Sequence, residues 1–299
     1  MGSWRDMDIE ELEKQYSPSC WSHRMEKDVV IDAHVKTLTE GTQKARSVTQ
    51  TLLNVAYGGR DGEKLDIYLP ADMTTTFPVL IYIHGGYWQF LSKEESGFLA
   101  PPLVSKGVAV VAVDYDTAPK GDIDIMVDQV RRSVIFIIQQ YSQISGIYLC
   151  GHSAGAHLVA MTLSTDWTKY EVTPDIKGAF LVSGIYDLLP IVKTYINGPL
   201  KMTDEDALRN SPIQHVDKVR HWSEKCEIII VVGEHDPPEF HRQSEEYFEG
   251  LKNAGLCIHY EDVPDTDHFN VIEQLTEGDY LLTQASVLLR NEYLQAKSG

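Results

Sequence analysis

The residues Gly151-His152-Ser153-Ala154-Gly155 place a serine between two glycines, where the chain can turn sharply. The apolar run at 147–150 is typical of a buried strand, and the apolar run at 156–161 is typical of a buried helix. A G-x-S-x-G sequence between a strand and a helix is the pattern of a nucleophile elbow, in which the turn exposes the serine hydroxyl. The free N–H groups at the start of that helix favour a developing negative charge. The pattern predicts Ser153 as the nucleophile of an acyl transfer.

Such a serine needs backbone N–H donors for the oxyanion that forms when it attacks a carbonyl. In α/β-hydrolases one donor belongs to the residue after the nucleophile, here Ala154, and others come from the loop after the third strand. The run Val79–Ile83 is followed directly by His84-Gly85-Gly86-Tyr87-Trp88. We therefore expect Gly86 and Gly85 to complete the oxyanion hole, the alternative being an ordinary Gly-Gly turn.

The acid of the site should follow the serine and precede the histidine in the chain. Asp236 stands just beyond the apolar run 227–232, at the carboxyl end of a predicted parallel strand, where α/β sheets collect functional loops. Asp187, after the sixth predicted strand, is the alternative acid. We favour Asp236 because one more strand and then a histidine follow it, whereas Asp187 suits the cap of the next helix.

His268 lies in a polar loop shortly after the last predicted strand, which is the expected position of the general base. His235 adjoins Asp236, and neighbouring side chains do not easily form the required bridge. We expect Asp267, beside His268, to be an exposed loop residue rather than the acid. In this arrangement His268 takes the proton of Ser153 and Asp236 holds the imidazole tautomer.

The apolar pattern also predicts the elements that position these residues. Two alternating runs with glycine-rich turns between them, at 53–57 and 65–69, predict an early hairpin. Continuous apolar runs predict buried strands at 79–83, 108–113, 147–150, 179–182 and 228–232, with a last strand at 257–260. Helical spacing predicts helices around 127–141 and 240–251 and a terminal helix over 280–294.

Strands that alternate with helices predict an α/β fold with a mostly parallel central sheet covered by helices on both faces. Residues 1–50 predict a helical N-terminal extension, since apolar residues near its start have helical spacing. Residues 186–222 lack a strand pattern and hold three prolines, which predicts a small helical insertion after the sixth strand. We expect residues 1–299 to form a single domain with these additions.

Composition and charge exclude several classes of partner. The formal net charge is −18, from 44 acidic and 26 basic residues, which argues against binding of nucleic acid or of an anionic membrane. Residues 1–17 are polar and acidic, and no stretch is long enough to cross a bilayer, so we expect a soluble intracellular protein. The sequence holds no H-E-x-x-H, C-x-x-C or G-x-G-x-x-G pattern, so we expect neither a metal nor another cofactor.

Over nearly its whole length the chain resembles the arylformamidase (kynurenine formamidase) family of animals. The resemblance is carried by Glu11–Ser19, His84–Trp88, Gly151–His157, Val182–Leu188 and Pro238–Ser244. That family is similar to the hormone-sensitive-lipase branch of α/β-hydrolases but has HGGYW in place of HGGG. The family's triad corresponds to Ser153, Asp236 and His268 of this sequence.

The resemblance implies hydrolysis of N-formyl-L-kynurenine to L-kynurenine and formate, a step of tryptophan breakdown. It also implies a cytosolic enzyme, and it is compatible with a nuclear pool and with a homodimer. Tyr87 and Trp88 are candidate substrate contacts, because bulk there could restrict the acyl pocket or stack on the aniline ring. Packing of the loop is an equal alternative for Trp88.

Three points are left open by the sequence. The residues that hold the amino-acid end of the substrate are not indicated by any motif, and Tyr186, Asn197 and the N-terminal extension are only candidates. A carboxylesterase that acts on short-chain aryl esters would use the same triad, since specificity in this fold depends on loops and the cap. A catalytically inactive ligand-binding protein is a weaker alternative, because the serine and the histidine are both present.

Overall fold

The computed structural model describes residues 3–72, 76–170, 172–280 and 282–284. Its strands are β1 Gln50–Ala56, β2 Lys64–Leu69, β3 Phe77–Ile83, β4 Ala109–Val113, β5 Ile144–His152, β6 Ile176–Val182, β7 Glu227–Gly233 and β8 Ile258–Val263. They form one sheet in the order β1-β2-β4-β3-β5-β6-β7-β8. Strand β2 pairs antiparallel with β1 and β4, and the other neighbours are parallel. The predicted hairpin and mostly parallel sheet are confirmed.

Helices connect the strands and cover the sheet. They are α1 Ile9–Gln15, α2 Lys27–Val48, α3 Ala100–Val104, α4 Ile123–Gln140, α5 Ala154–Leu163, α6 Leu189–Val192, α7 Asn197–Leu200, α8 Asp204–Arg209, α9 Val216–Trp222, α10 Pro238–Asn253 and α11 Asn270–Glu273. Within the described residues, no helix combines the length and the apolar composition needed to cross a membrane.

Successive residues of the central strands point to opposite faces of the sheet and supply two separate cores. On β3, Ile81 belongs to a core cluster that includes residues of helices α4, α5 and α10. Its neighbour Tyr82 belongs to a second cluster that includes residues of α2, α3 and α11. Strands buried on both faces explain why these runs are apolar throughout rather than alternating. The predicted covering of both faces by helices is confirmed.

Both predicted additions to the sheet are helical. The N-terminal extension consists of α1 and α2, and Leu38 and Ala45 of α2 reach the second core. The segment 186–222 contains α6 to α9 and no strand. The terminal helix predicted over 280–294 lies mostly outside the described residues.

Candidate active site

Ser153 occupies the sharp turn between β5 and α5. Its φ of 56° lies in the left-handed region, which strains a residue with a side chain, and its hydroxyl remains at the surface of a cavity. The turn fits tightly against the neighbouring strand, since a Cβ on Gly155 would clash with the carbonyl oxygen of Ile83. Both features belong to a nucleophile elbow.

Asp236 and His268 meet at the carboxyl end of the sheet, from the loops that follow β7 and β8. His268 Nδ1 lies 2.6 Å from Asp236 Oδ1, and both side chains are almost completely buried. The other carboxylate oxygen of Asp236 accepts the Ser183 hydroxyl at 2.5 Å and the Gly233 N–H at 2.8 Å. Because the carboxylate accepts from Nδ1, the imidazole keeps its Nε2 available as a base.

Ser153 and His268 line one cavity of about 340 Å³, which we call the Ser153 cavity. No hydrogen bond joins the Ser153 hydroxyl to the His268 ring among the described residues, and such bonds often tighten only when substrate is bound. The N-terminal extension contributes Ser17 and His34 to the lining, and the helical insertion contributes Tyr195. The two additions predicted from sequence therefore build much of the wall around the serine.

The glycine loop after β3 lies directly against the serine. Gly85 is so close to the elbow that a Cβ there would come within 3.2 Å of the Ser153 Cβ. Gly86 has a φ of 92° and lines the Ser153 cavity. Within the described chain, no residue accepts a hydrogen bond from the N–H of Gly86 or of Ala154, the first residue of α5. Both N–H groups are available to an oxyanion.

The two aromatic residues of the loop have different positions. Tyr87 lines the Ser153 cavity, and its hydroxyl donates to the Tyr16 carbonyl oxygen at 2.6 Å, which ties the loop to the N-terminal extension. Trp88 is fully buried, and its Nε1 donates to His157 Nδ1 at 3.1 Å. Of the two alternatives for Trp88, this position agrees with packing of the loop rather than with a substrate contact, because the ring is buried in the core.

Two further candidates for substrate contact also lie away from the Ser153 cavity. Tyr186 is buried and stacks on Tyr247 with the ring centroids 4.5 Å apart. The Asn197 amide donates to two backbone oxygens of the insertion, those of Val192 and Met202. The Asn197 amide serves the packing of the insertion, whereas the N-terminal extension does reach the cavity.

The structure shows what Asp187 and Asp267, the two acids not chosen for the triad, contact. Asp187 accepts the N–H of Leu189 two residues on, but it is not the N-cap of α6, because that position is Leu188. Asp267 was expected to be exposed, and this was wrong, because its side chain is 0% exposed. It accepts hydrogen bonds from Arg24 and Ser22 of the N-terminal extension. A partner 243 residues away leaves no local signal in the sequence.

Three buried histidines around the site are held neutral. Burial lowers the pKa of His84 and the pKa of His157 to about 4. Burial, together with the nearby His268 and His34, also lowers the pKa of His152 well below its ordinary value. His152 Nε2 donates to the backbone oxygen of His268 at 2.8 Å. These rings therefore support loops near the serine rather than exchange protons with a substrate.

One group of side chains in the described residues could hold a metal ion. Glu227, Cys257 and His259 offer ligand atoms within 4.8 Å of one another. They lie at the amino ends of β7 and β8, at the opposite edge of the sheet from Ser153. A metal bound there, at the opposite end of the parallel strands from Ser153, would take no part in an attack by the serine.

Comparison with known proteins gives consistent matches. A family model described as BD-FAE matches residues 65–251. The kynurenine formamidase of Salmo salar is 64% identical over 285 residues, covering 95% of this chain and 97% of that protein. The kynurenine formamidase of Danio rerio is 63% identical over 284 residues, also covering 95% and 97%. A crystal structure from Silicibacter sp. matches with a TM-score of 0.77 at 26% identity, covering 92% of this chain and 98% of that one.

The structural match agrees with the sheet order, and the chain has the α/β-hydrolase fold. The BD-FAE match extends over more than half of the chain and shows membership of that family. The two formamidases match at high identity from end to end. The chain therefore belongs to the kynurenine formamidase family.

Proposed function

We propose that this protein hydrolyses N-formyl-L-kynurenine to L-kynurenine and formate through a formyl-enzyme on Ser153, as a step of tryptophan breakdown. The observation that carries the proposal is the identity of 63–64% to two kynurenine formamidases over 95% of the chain. The arrangement of Ser153, His268 and Asp236 around one cavity supports it with a suitable chemistry.

In the first half of the reaction, Ser153 Oγ attacks the formyl carbon while His268 Nε2 takes the hydroxyl proton. Asp236 keeps the Nδ1 proton in place and stabilises the imidazolium that forms. The negative charge on the formyl oxygen is stabilised by the N–H groups of Gly86 and Ala154. His268 then protonates the aniline nitrogen, the C–N bond breaks, and L-kynurenine leaves.

In the second half, water replaces the amine. His268 takes a proton from the water as it attacks the formyl ester, and the same two N–H groups stabilise the second oxyanion. The Ser153–formyl bond breaks, the serine regains its proton from His268, and formic acid leaves and releases a proton to solvent to become formate. Tyr87, which lines the cavity beside Gly86, supplies bulk on the acyl side that suits a formyl group better than a longer acyl chain.

A single-turnover assay of purified protein on N-formyl-L-kynurenine tests this proposal. We expect Ser153→Ala to reduce kcat by about a million-fold, by analogy with removal of the nucleophile in other serine hydrolases. A Ser153→Ala variant that retained wild-type activity would refute the assignment of the nucleophile.

The same preparation distinguishes the carboxylesterase alternative. We expect kcat/KM for N-formyl-L-kynurenine to exceed kcat/KM for phenyl acetate, a short-chain aryl ester. The reverse order would favour the esterase. A cytosolic location with a nuclear pool, and a homodimer, are further parts of the proposal and rest on the family resemblance alone.

A further inference from the structure

His34 brings an imidazole into the Ser153 cavity from helix α2. Its side chain is only 5% exposed. Nδ1 lies 2.7 Å from Oε1 of Glu273 on α11. Since an ionised carboxylate only accepts hydrogen bonds, Nδ1 carries the hydrogen and donates it. The cavity therefore holds a second histidine–carboxylate pair beside that of His268 and Asp236, and the reaction does not use it.

The other ring nitrogen of His34 is left for a ligand. Among the described residues, Nε2 makes no hydrogen bond, and because Nδ1 faces Glu273, the opposite edge of the ring is the part available to the cavity. In the tautomer that donates from Nδ1, Nε2 holds a lone pair and accepts. A ligand group in the cavity that donates a hydrogen bond therefore suits this nitrogen.

The charges around the cavity restrict what that ligand group can be. In the described part of the chain, no Lys, Arg, Asp or Glu lines the cavity. His152 already donates to the backbone of His268, and His268 is bound to Asp236. Of the three histidines that line the cavity, only His34 has a carboxylate partner and takes no part in the proposed hydrolysis. Glu273 also faces Arg24, whose Nη1 lies 3.5 Å from Oε2, but Asp267 shares that guanidinium, so the two carboxylates and one cation keep a net negative charge behind the ring. An acceptor supported by a negative charge favours a cationic donor.

On the basis of the proposed formylkynurenine hydrolysis, we propose that His34 binds the α-ammonium group at the amino-acid end of the substrate. The ammonium donates a hydrogen bond to Nε2, and the charge of Glu273 behind the ring attracts it. The α-carboxylate stays towards solvent, since the lining offers it neither Lys nor Arg. His34 is therefore a specificity-determining residue that selects aryl formamides carrying an amine.

Two variants separate this role from simple packing. His34→Phe keeps an aromatic ring in the wall but removes both nitrogens. His34→Asn retains an N–H that can donate to Glu273 as Nδ1 does, but lacks the Nε2 acceptor, so it preserves the buried pair. Val35→Ala, an apolar change at a neighbouring lining residue, is the matched control. Circular dichroism and thermal unfolding establish that each variant is folded.

Three substrates are compared: N-formyl-L-kynurenine, its desamino analogue with the carboxylate retained, and its decarboxylated analogue with the amine retained. For both His34 variants we expect kcat/KM on the two amines to fall about tenfold to a hundredfold, mainly through KM. On the desamino analogue we expect less than about a twofold change, since no ammonium is present to lose its partner. Val35→Ala should change all three values alike.

Two results would overturn the inference. An equal loss on all three substrates would show that His34 only packs the wall. A loss confined to the two substrates that carry a carboxylate would show that His34 binds that group instead. Failure of the wild-type protein to hydrolyse any of the three formamides would instead refute the proposed function on which the inference rests.

Discussion

The carboxylate of Asp236 is completely buried, so each hydrogen bond it accepts matters for the position of His268. One oxygen accepts from His268, and the other accepts from Ser183 and from the backbone of Gly233. Ser183 stands just beyond β6 and has a φ of 49°, so the turn directs its hydroxyl towards the acid. We infer that Ser183 is a positioning residue that acts through Asp236.

Removal of the Ser183 hydroxyl should slow the reaction without weakening substrate binding. We expect Ser183→Ala to reduce kcat about tenfold with little change in KM, because one hydrogen bond to a buried charge contributes about 1.5–3 kcal/mol. Steady-state kinetics on the formamide substrate measure both constants. Ser133→Ala is the control, since Ser133 is a buried serine of α4 that bonds only to the carbonyl of Val130. A change in KM alone would contradict the positioning role.

At this scale the sequence predicted the residues that carry a local pattern. Ser153 lies in a short motif, and Asp236 and His268 follow from chain order and from their places after strands. Trp88 could not be placed, because the same aromatic residue suits a pocket or a core. His34 could not be found at all, since its partner Glu273 lies 239 residues away and the helix around it has no motif.

An ion pair joins the N-terminal extension to the loop that contains His268. Arg24 donates to both carboxylate oxygens of Asp267, from Nε at 2.9 Å and from Nη2 at 3.1 Å. Asp267 also accepts the N–H groups of Phe269 and Asn270, so its carboxylate fixes the backbone immediately after His268. Sequence patterns predict the helices of this extension. They do not predict the ion pair between Arg24 and Asp267, because it joins elements that come together only in the folded chain.

Loss of the Arg24 side chain should therefore affect both stability and catalysis. We expect Arg24→Ala to lower the free energy of unfolding by about 3 kcal/mol, because Asp267 would remain buried without its cation. kcat should fall as the His268 loop loses its anchor. Arg24→Lys should recover only part of both, since an ammonium cannot replace the two-pronged guanidinium contact. Urea unfolding and steady-state kinetics measure these effects, and Arg220→Ala at an exposed position of α9 is the control.

The ion pair between Arg24 and Asp267 should also affect how the free energy of unfolding depends on acidic pH. Burial alone would raise the pKa of Asp267, but hydrogen bonds from Arg24, Ser22 and the backbone outweigh it and hold the pKa well below its ordinary value. A depressed carboxyl pKa stabilises the fold at neutral pH, and that stabilisation is lost as the pH falls below about 4. In Arg24→Ala the pKa of Asp267 is lowered less, so the loss of stability in acid should be smaller than in the wild type, which urea unfolding across acidic buffers would detect.

At the scale of the whole molecule, neutral histidines buried on both sides of the serine should make the fold sensitive to mild acid. Burial lowers the pKa of His84 and of His157 to about 4, whereas the unfolded chain titrates near about 6.5. Between these values the unfolded state binds more protons than the folded state, so stability falls as the pH falls. Each such histidine contributes a slope of about 1.4 kcal/mol per pH unit within that window.

We expect the free energy of unfolding to decline between about pH 6.5 and about pH 4, and His157→Gln to make this decline shallower. The Gln amide can accept from Trp88 and donate to the Asn210 carbonyl as His157 does, but it does not titrate. His221→Gln, at an exposed position, should leave the slope unchanged. Urea unfolding at a series of pH values measures the slope for the three proteins. An identical slope for His157→Gln and wild type would mean that folding does not lower the pKa of His157.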